Sequence, residues 1–127
     1  MGRTKVNSLE GLTSGTVTDI NDLNYQIAKA WVNFKGAGTV AIRASYNVAS
    51  ITDNATGDFT ANFTTAMPDA NYLGLGTSGT DGTVAAEGRT LNPNVTSPTT
   101  TAYRFVIRST RDTIVSDQLI YLVFYGN

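Results

Sequence analysis

A chain of 127 residues, 41% apolar and 15% charged with a net charge of −1, is long enough for one domain with its own core and lacks the basic balance of a nucleic-acid binder. It has neither cysteine nor histidine, which removes disulfides, thiolate metal sites, cysteine nucleophiles and the commonest general base. No apolar run approaches the roughly 20 residues that span a bilayer, so membrane insertion is not expected.

Met1–Lys5 leads into polar sequence rather than into the apolar core of a signal peptide. Residues 1–27 form a segment apart. Up to Val17 they show no sustained period and read as an extended arm, with Val6, Leu9, Leu12 and Val17 as the apolar residues available to anchor it on a partner. From Thr18 the spacing of Ile20, Leu23 and Ile27 suits a short helix, with Thr18 as its N-cap and Asp19 and Asp22 in the first turn. A partner-bound extended segment fits the same residues.

From Ala28 the period becomes two, and abundant threonine with 12 glycines suits short strands joined by turns. Ala30, Val32 and Phe34 face one way; Lys29, Trp31, Asn33 and Lys35 face the other, which leaves the single tryptophan on a polar side. Gly36-Ala37-Gly38 supplies a hairpin turn. The return strand then sets Val40, Ile42, Ala44 and Tyr46 against Thr39, Ala41, Arg43 and Ser45. Residues 53–58 (DNATGD) read as a turn, and DFTANFT after it alternates cleanly with Phe59, Ala61 and Phe63 inward.

Pro68 closes that strand, and a shorter one starts at Tyr72-Leu73-Gly74-Leu75. Residues 76–82 and 92–101 read as loops, with a weak strand between them. AYRFVIRS (102–109) alternates again. The final strand, QLIYLVFYG (118–126), is apolar on both faces: Leu119, Tyr121, Val123 and Tyr125 on one, Ile120, Leu122 and Phe124 on the other. Such a strand must be covered twice. A loop of the same subunit or a subunit interface meets that need, and Trp31 wants the same dry surface. The candidate interface set is therefore Trp31, Arg43, Tyr121, Val123 and Tyr125. About seven short strands at this spacing predict an all-β fold, an antiparallel, jelly-roll-like β-sandwich over 28–127 preceded by the arm.

Chemistry-bearing patterns are sparse. Asp53 and Asp58 are a close carboxylate pair, both flanking the expected turn, where turn-forming Asp is the simplest role. With Asn54 they could also offer oxygens to a surface Ca²⁺, but without the spacing or the bidentate Glu of an EF-hand loop. Gly74–Gly79 matches G-x-G-x-x-G only superficially, since no βαβ unit surrounds it. Arg104, Arg108 and Arg111, followed by Asp112 and Asp117, read as a solvated strand edge. No cofactor, metal site or catalytic residue is expected, and the chain does not read as an enzyme.

A resemblance runs through Trp31-Val32-Asn33-Phe34, Gly38–Arg43, Ser45–Val48, Thr52-Asp53-Asn54, Thr56–Phe59 and Ala66–Tyr72. This stretch, 30–72, resembles a segment of tail-fibre and related structural proteins of tailed bacteriophages, including those of cyanobacteria and marine bacteria. The ending LIYLVFYGN looks like the closing strand of such proteins; the stretch 76–101 does not share the likeness. The resemblance implies a non-enzymatic virion protein, made in the host cytoplasm, that forms a homotrimer. It implies a short tail fibre, fibre tip or adaptor working in host attachment, with a capsid decoration protein as the alternative. Fibres of this kind commonly carry a long shaft, whereas 27 residues precede Ala28 here. On this reading the arm binds other virion proteins. Loops 76–84 and 92–101 are then the places to seek contact with a host surface.

Overall fold

The structure, a computed structural model, describes residues 8–10, 17–19, 24–79, 88–94, 96–109 and 119–126. Two short strands, β1 (Ser8–Glu10) and β2 (Val17–Asp19), pair with each other as an antiparallel ribbon. Eight more build two four-stranded antiparallel sheets: β3 (Ala30–Lys35), β4 (Ala41–Tyr46), β5 (Val48–Ala55), β6 (Asp58–Phe63), β7 (Leu73–Gly79), β8 (Arg89–Pro93), β9 (Ala102–Ser109) and β10 (Leu119–Tyr125). The first sheet has the order β4-β3-β10-β7 and the second β5-β6-β9-β8. The chain is an all-β sandwich, as the alternation predicts.

The four central strands make the core. Ala30, Val32 and Phe34 of β3 and Ile120, Leu122 and Phe124 of β10 face Phe59, Ala61 and Phe63 of β6 and Tyr103, Phe105 and Ile107 of β9, all buried. Their rings meet edge to face, Phe34 on Phe59 at 5.4 Å and Phe124 on Phe63 at 5.1 Å and on Tyr103 at 5.2 Å. These offset arrangements are those that aromatic quadrupoles favour. Tyr72 closes one end, donating its hydroxyl to the carbonyls of Thr99 (2.8 Å) and Ala102 (3.1 Å).

Several expectations need correction. Thr18 lies in β2 rather than at a helix N-cap, and helix among the described residues is confined to one turn at 24–26. Residues 53–55 belong to β5, so the expected turn shrinks to Thr56-Gly57, where Gly57 takes φ 68°. Bulges within β5 put its inward residues, Val48 opposite Phe63 and Ile51 opposite Ala61, three apart and so hide the period of two. Residues 76–79, expected in a loop, continue β7, while Asn92 and Pro93 end β8.

The return strand β4 departs from its expected facing. A bulge places Ala44 opposite Asn33 but Ile42 opposite Phe34, so Arg43 is the extra residue and the faces exchange there. All six residues of β4 are exposed, as befits an edge strand. From Tyr46 the chain crosses to the second sheet through Asn47 alone, in the left-handed region at φ 54°, which Asn tolerates better than most residues. The Asn47 amide donates to the carbonyls of Lys29 (3.2 Å) and Thr65 (3.1 Å), and its Oδ1 accepts from the Thr65 N–H (2.7 Å). One side chain thus ties β3, the sheet crossing and the 63–65 segment together.

Candidate functional site

The outward faces of the two sheets differ in chemistry. On the second sheet, Ser50 and Thr52 of β5, Thr60 and Asn62 of β6, and Arg104 of β9 form a bonded polar surface. Asn62 donates to the hydroxyls of Thr52 (2.9 Å) and Ser50 (3.1 Å), and Asn54 to that of Thr60 (2.9 Å). Polar groups that satisfy one another across strands suit a surface left to water.

On the first sheet the outward face is largely apolar, with Asn33, Lys35 and Thr77 as its polar residues toward one end. Register aligns Tyr46, Trp31, Val123 and Leu75 in one row across β4, β3, β10 and β7. Tyr125 stands opposite Leu73 in the next row, and Tyr121 stands opposite both Asn33 and Thr77 on the other side. Leu73 is 62% exposed, Leu75 58%, Tyr121 43% and Trp31 39%. A depression of about 340 Å³ lies between β7 and β10, lined by Leu75, Thr77, Tyr121 and Val123 with Gly76 and Leu122. No carboxylate falls at an outward position of these four strands. Asn33 Oδ1, in the middle of this face, is screened from solvent and has no hydrogen-bond partner.

The facing of β7 has a clear physical cause. Two of its three inward positions, 74 and 76, are glycines because the core leaves no room there for more, and the third is the small Ser78. A Cβ on Gly74 would stand 2.8 Å from the Tyr103 ring, and one on Gly76 would stand 2.7 Å from Leu122 Cδ2 and 2.8 Å from Leu91 Cδ2. With Gly inward, Leu73 and Leu75 are held outward. The strand therefore presents its large apolar side chains to the surface.

Of the residues expected at an interface, Trp31, Tyr121, Val123 and Tyr125 share this face, with Val123 and Tyr125 half-buried by their neighbours. Arg43 stands in the β4 bulge, between Ala44 on this face and Ile42 on the other side. Sequence reasoning missed Tyr46, Leu73 and Leu75. The Leu-Gly-Leu-Gly alternation was the available signal, but reading it requires knowing that the small side faces the core. Of the arm residues, Leu9 lies in β1 opposite Thr18 and Val17 in β2 opposite Glu10, while Val6 and Leu12 lie outside the described residues.

The carboxylate pair proves to be divided. Asp53 is exposed on β5, but Asp58 is gripped by Arg104, whose Nε donates to Oδ1 (2.9 Å) and Nη2 to Oδ2 (2.7 Å). Both carboxylate oxygens are thereby occupied. Arg104 is thus bonded to Asp58 on the solvent side of the inner strand β9, not on a strand edge as expected; Arg111, Asp112 and Asp117 lie outside the described residues. Among the described residues no cluster of three or more acidic, His or Cys side chains could hold a metal ion. The connection after β8 is bonded both to itself and to β9: the Ser97 N–H donates to the Asn94 carbonyl (2.9 Å), Ser97 Oγ accepts from the Arg104 N–H (2.9 Å), and the Asn94 N–H donates to the Arg104 carbonyl (2.9 Å).

The hydrogen bonds from Arg104 hold the Asp58 carboxyl below its ordinary value of 3.8, burial opposing them and Asn54 adding a smaller pull. The folded state therefore binds this proton less tightly than the unfolded chain does. The pair stabilises the fold above about pH 4, and its contribution is lost as pH falls through the lowered folded value. Thermal melts between about pH 6 and about pH 3 should show a steeper acid loss for the wild type than for Asp58→Asn. Parallel losses in the two proteins would show that the pair carries no pH-dependent stability.

Comparison with family models, with curated proteins and with solved structures finds no match.

Proposed function

We propose that this chain is a non-catalytic structural module of a tailed-phage virion, a short tail fibre or fibre-tip adaptor engaged in host attachment. It assembles as a homotrimer through the outward face of the β4-β3-β10-β7 sheet. The observation that carries the assembly reading is the apolar row Tyr46–Trp31–Val123–Leu75, flanked by Leu73 and Tyr121. A contiguous face of this kind is the mark of an association surface, and Trp and Tyr are the residues enriched at the energetic centres of interfaces. The polar second sheet then faces outward. The virion assignment rests on the resemblance through 30–72, and the N-terminal arm is the segment offered to other virion proteins.

The experiment is gold-labelled antibody against residues 28–127 on intact particles, viewed by negative-stain electron microscopy. Label at the tail is expected. Label spread over the head would replace the fibre reading with capsid decoration, and particles without label would overturn the virion assignment.

A further inference from the structure

The depression between β7 and β10 is a slot with four corners. Register sets Val123 opposite Leu75 and Tyr121 opposite Thr77, and these four outward residues line it. Between the corners lies the pair Gly76–Leu122, whose Cβ directions point into the core and leave backbone as the floor. Sheet geometry sets the corners about 7 Å apart along the strands and about 5 Å apart across them. A slot of those proportions admits a flat ring entering on its edge.

The chemistry of the lining narrows the occupant. It carries no charge, and its side-chain polar groups are the hydroxyls of Thr77 and Tyr121, whose oxygens accept hydrogen bonds. The lining therefore suits a large apolar side chain that has a donor to place. Indole is such a group, since its Nε1–H donates and cannot accept. The chain has one tryptophan, Trp31, on this same outward face. Trp31 does not fill its own slot: Val123 stands between it and Leu75 in the row, and the indole is not part of the lining.

We infer that Trp31 of one copy enters the slot between Leu75, Thr77, Tyr121 and Val123 of the next copy. The inference rests on the reading of this face as a trimer surface and adds how the copies meet. The knob stands on β3 and the slot lies between β10 and β7, so the two are different patches of one sheet. Joining different patches is a head-to-tail contact, the kind that closes into a ring of three; a self-complementary patch stops at two. A second copy is the occupant because the chain itself presents both halves of the contact. One joint then covers an indole that is 39% exposed and a slot whose walls Leu75 and Tyr121 are 58% and 43% exposed.

The test is a double-mutant cycle on the full chain, read by sedimentation equilibrium and by the emission of its single tryptophan. As the wild type associates, Trp31 emission should move to shorter wavelength, because the indole leaves water. Thr77→Phe, at an exposed position, fills the slot from its own chain; it should weaken association by roughly tenfold or more and leave Trp31 emission where the single chain has it. Trp31→Ala should weaken association by roughly thirtyfold. Within one chain β10 separates the two positions, so their effects would add to a loss of roughly 300-fold. Across a shared slot they do not add, since the phenyl ring takes the space that the indole vacates, and the double variant should associate no more weakly than Trp31→Ala alone. A wild type that stays a single chain overturns the trimer surface and this contact together. A wild type that associates with unchanged Trp31 emission, or with additive losses, overturns this contact and leaves the surface standing.

Discussion

Phe124→Ala is expected to lower the stability of the sandwich by about 3–5 kcal/mol, within the range for aromatic truncation in a packed core. Phe124 is fully buried on β10, and its ring meets those of Phe63, Tyr72 and Tyr103 at 5.1, 6.0 and 5.2 Å. These neighbours come from β6, the connection into β7 and β9, so one side chain joins both sheets and closes one end of the core. The ring cannot be replaced by collapse, because Tyr72 is held by its two carbonyl acceptors and Phe63 sits in a paired strand. For a domain of this size the loss corresponds to a fall in melting temperature of roughly 10–20 °C. Phe124→Leu should fall between, keeping part of the volume. Circular dichroism melts decide the matter; a Phe124→Ala melt indistinguishable from wild type would mean that the aromatic network does not hold the sheets together.

Leu75→Lys and Trp31→Ala are expected to separate assembly from folding. Both positions lie in the outward row of the first sheet and neither belongs to the core cluster. Each variant should therefore melt close to wild type when compared as monomers. Truncating a tryptophan at an interface centre costs about 2 kcal/mol or more, roughly a thirtyfold weaker contact. Lysine at 75 places a desolvated charge beside Val123 and Tyr121, where no carboxylate stands to meet it. Asp53→Lys, on the exposed edge strand β5, should leave assembly unchanged. Sedimentation velocity of the three variants distinguishes the outcomes. Unchanged association in both Trp31→Ala and Leu75→Lys would remove this face from the interface.

The fold was legible where the two faces of a strand meet different surroundings. β3, β6 and β9 alternate strictly because one side packs in the core and the other does not, and β10 revealed its second demand by being apolar on both sides. Where bulges or glycines intervene, the signal fails. The bulges of β5 separate Val48 from Ile51 by three residues and make a strand read as a turn. The bulge at Arg43 exchanges the faces of β4 halfway along, so Ile42 and Tyr46 do not share a side as simple counting predicts. In β7 the inward residues are the small ones, which inverts the usual reading of alternation and sends Leu73 and Leu75 outward. The same physics governs the site. Trp31 and the outward residues of β10 were readable within single strands. Tyr46, Leu73 and Leu75 join them only through register, and register depends on bulges and packing that no single strand encodes. The junction at the sheet crossing was not legible at all, because Asn47 meets Lys29 and Thr65 only through its left-handed backbone and its hydrogen bonds.

The most direct test of the central claim, that the outward face of the first sheet is an assembly surface, is sedimentation equilibrium of the wild-type chain over a wide concentration range. The expected result is self-association to three times the chain mass of 13.5 kDa. A mass that stays at 13.5 kDa at every concentration would contradict it.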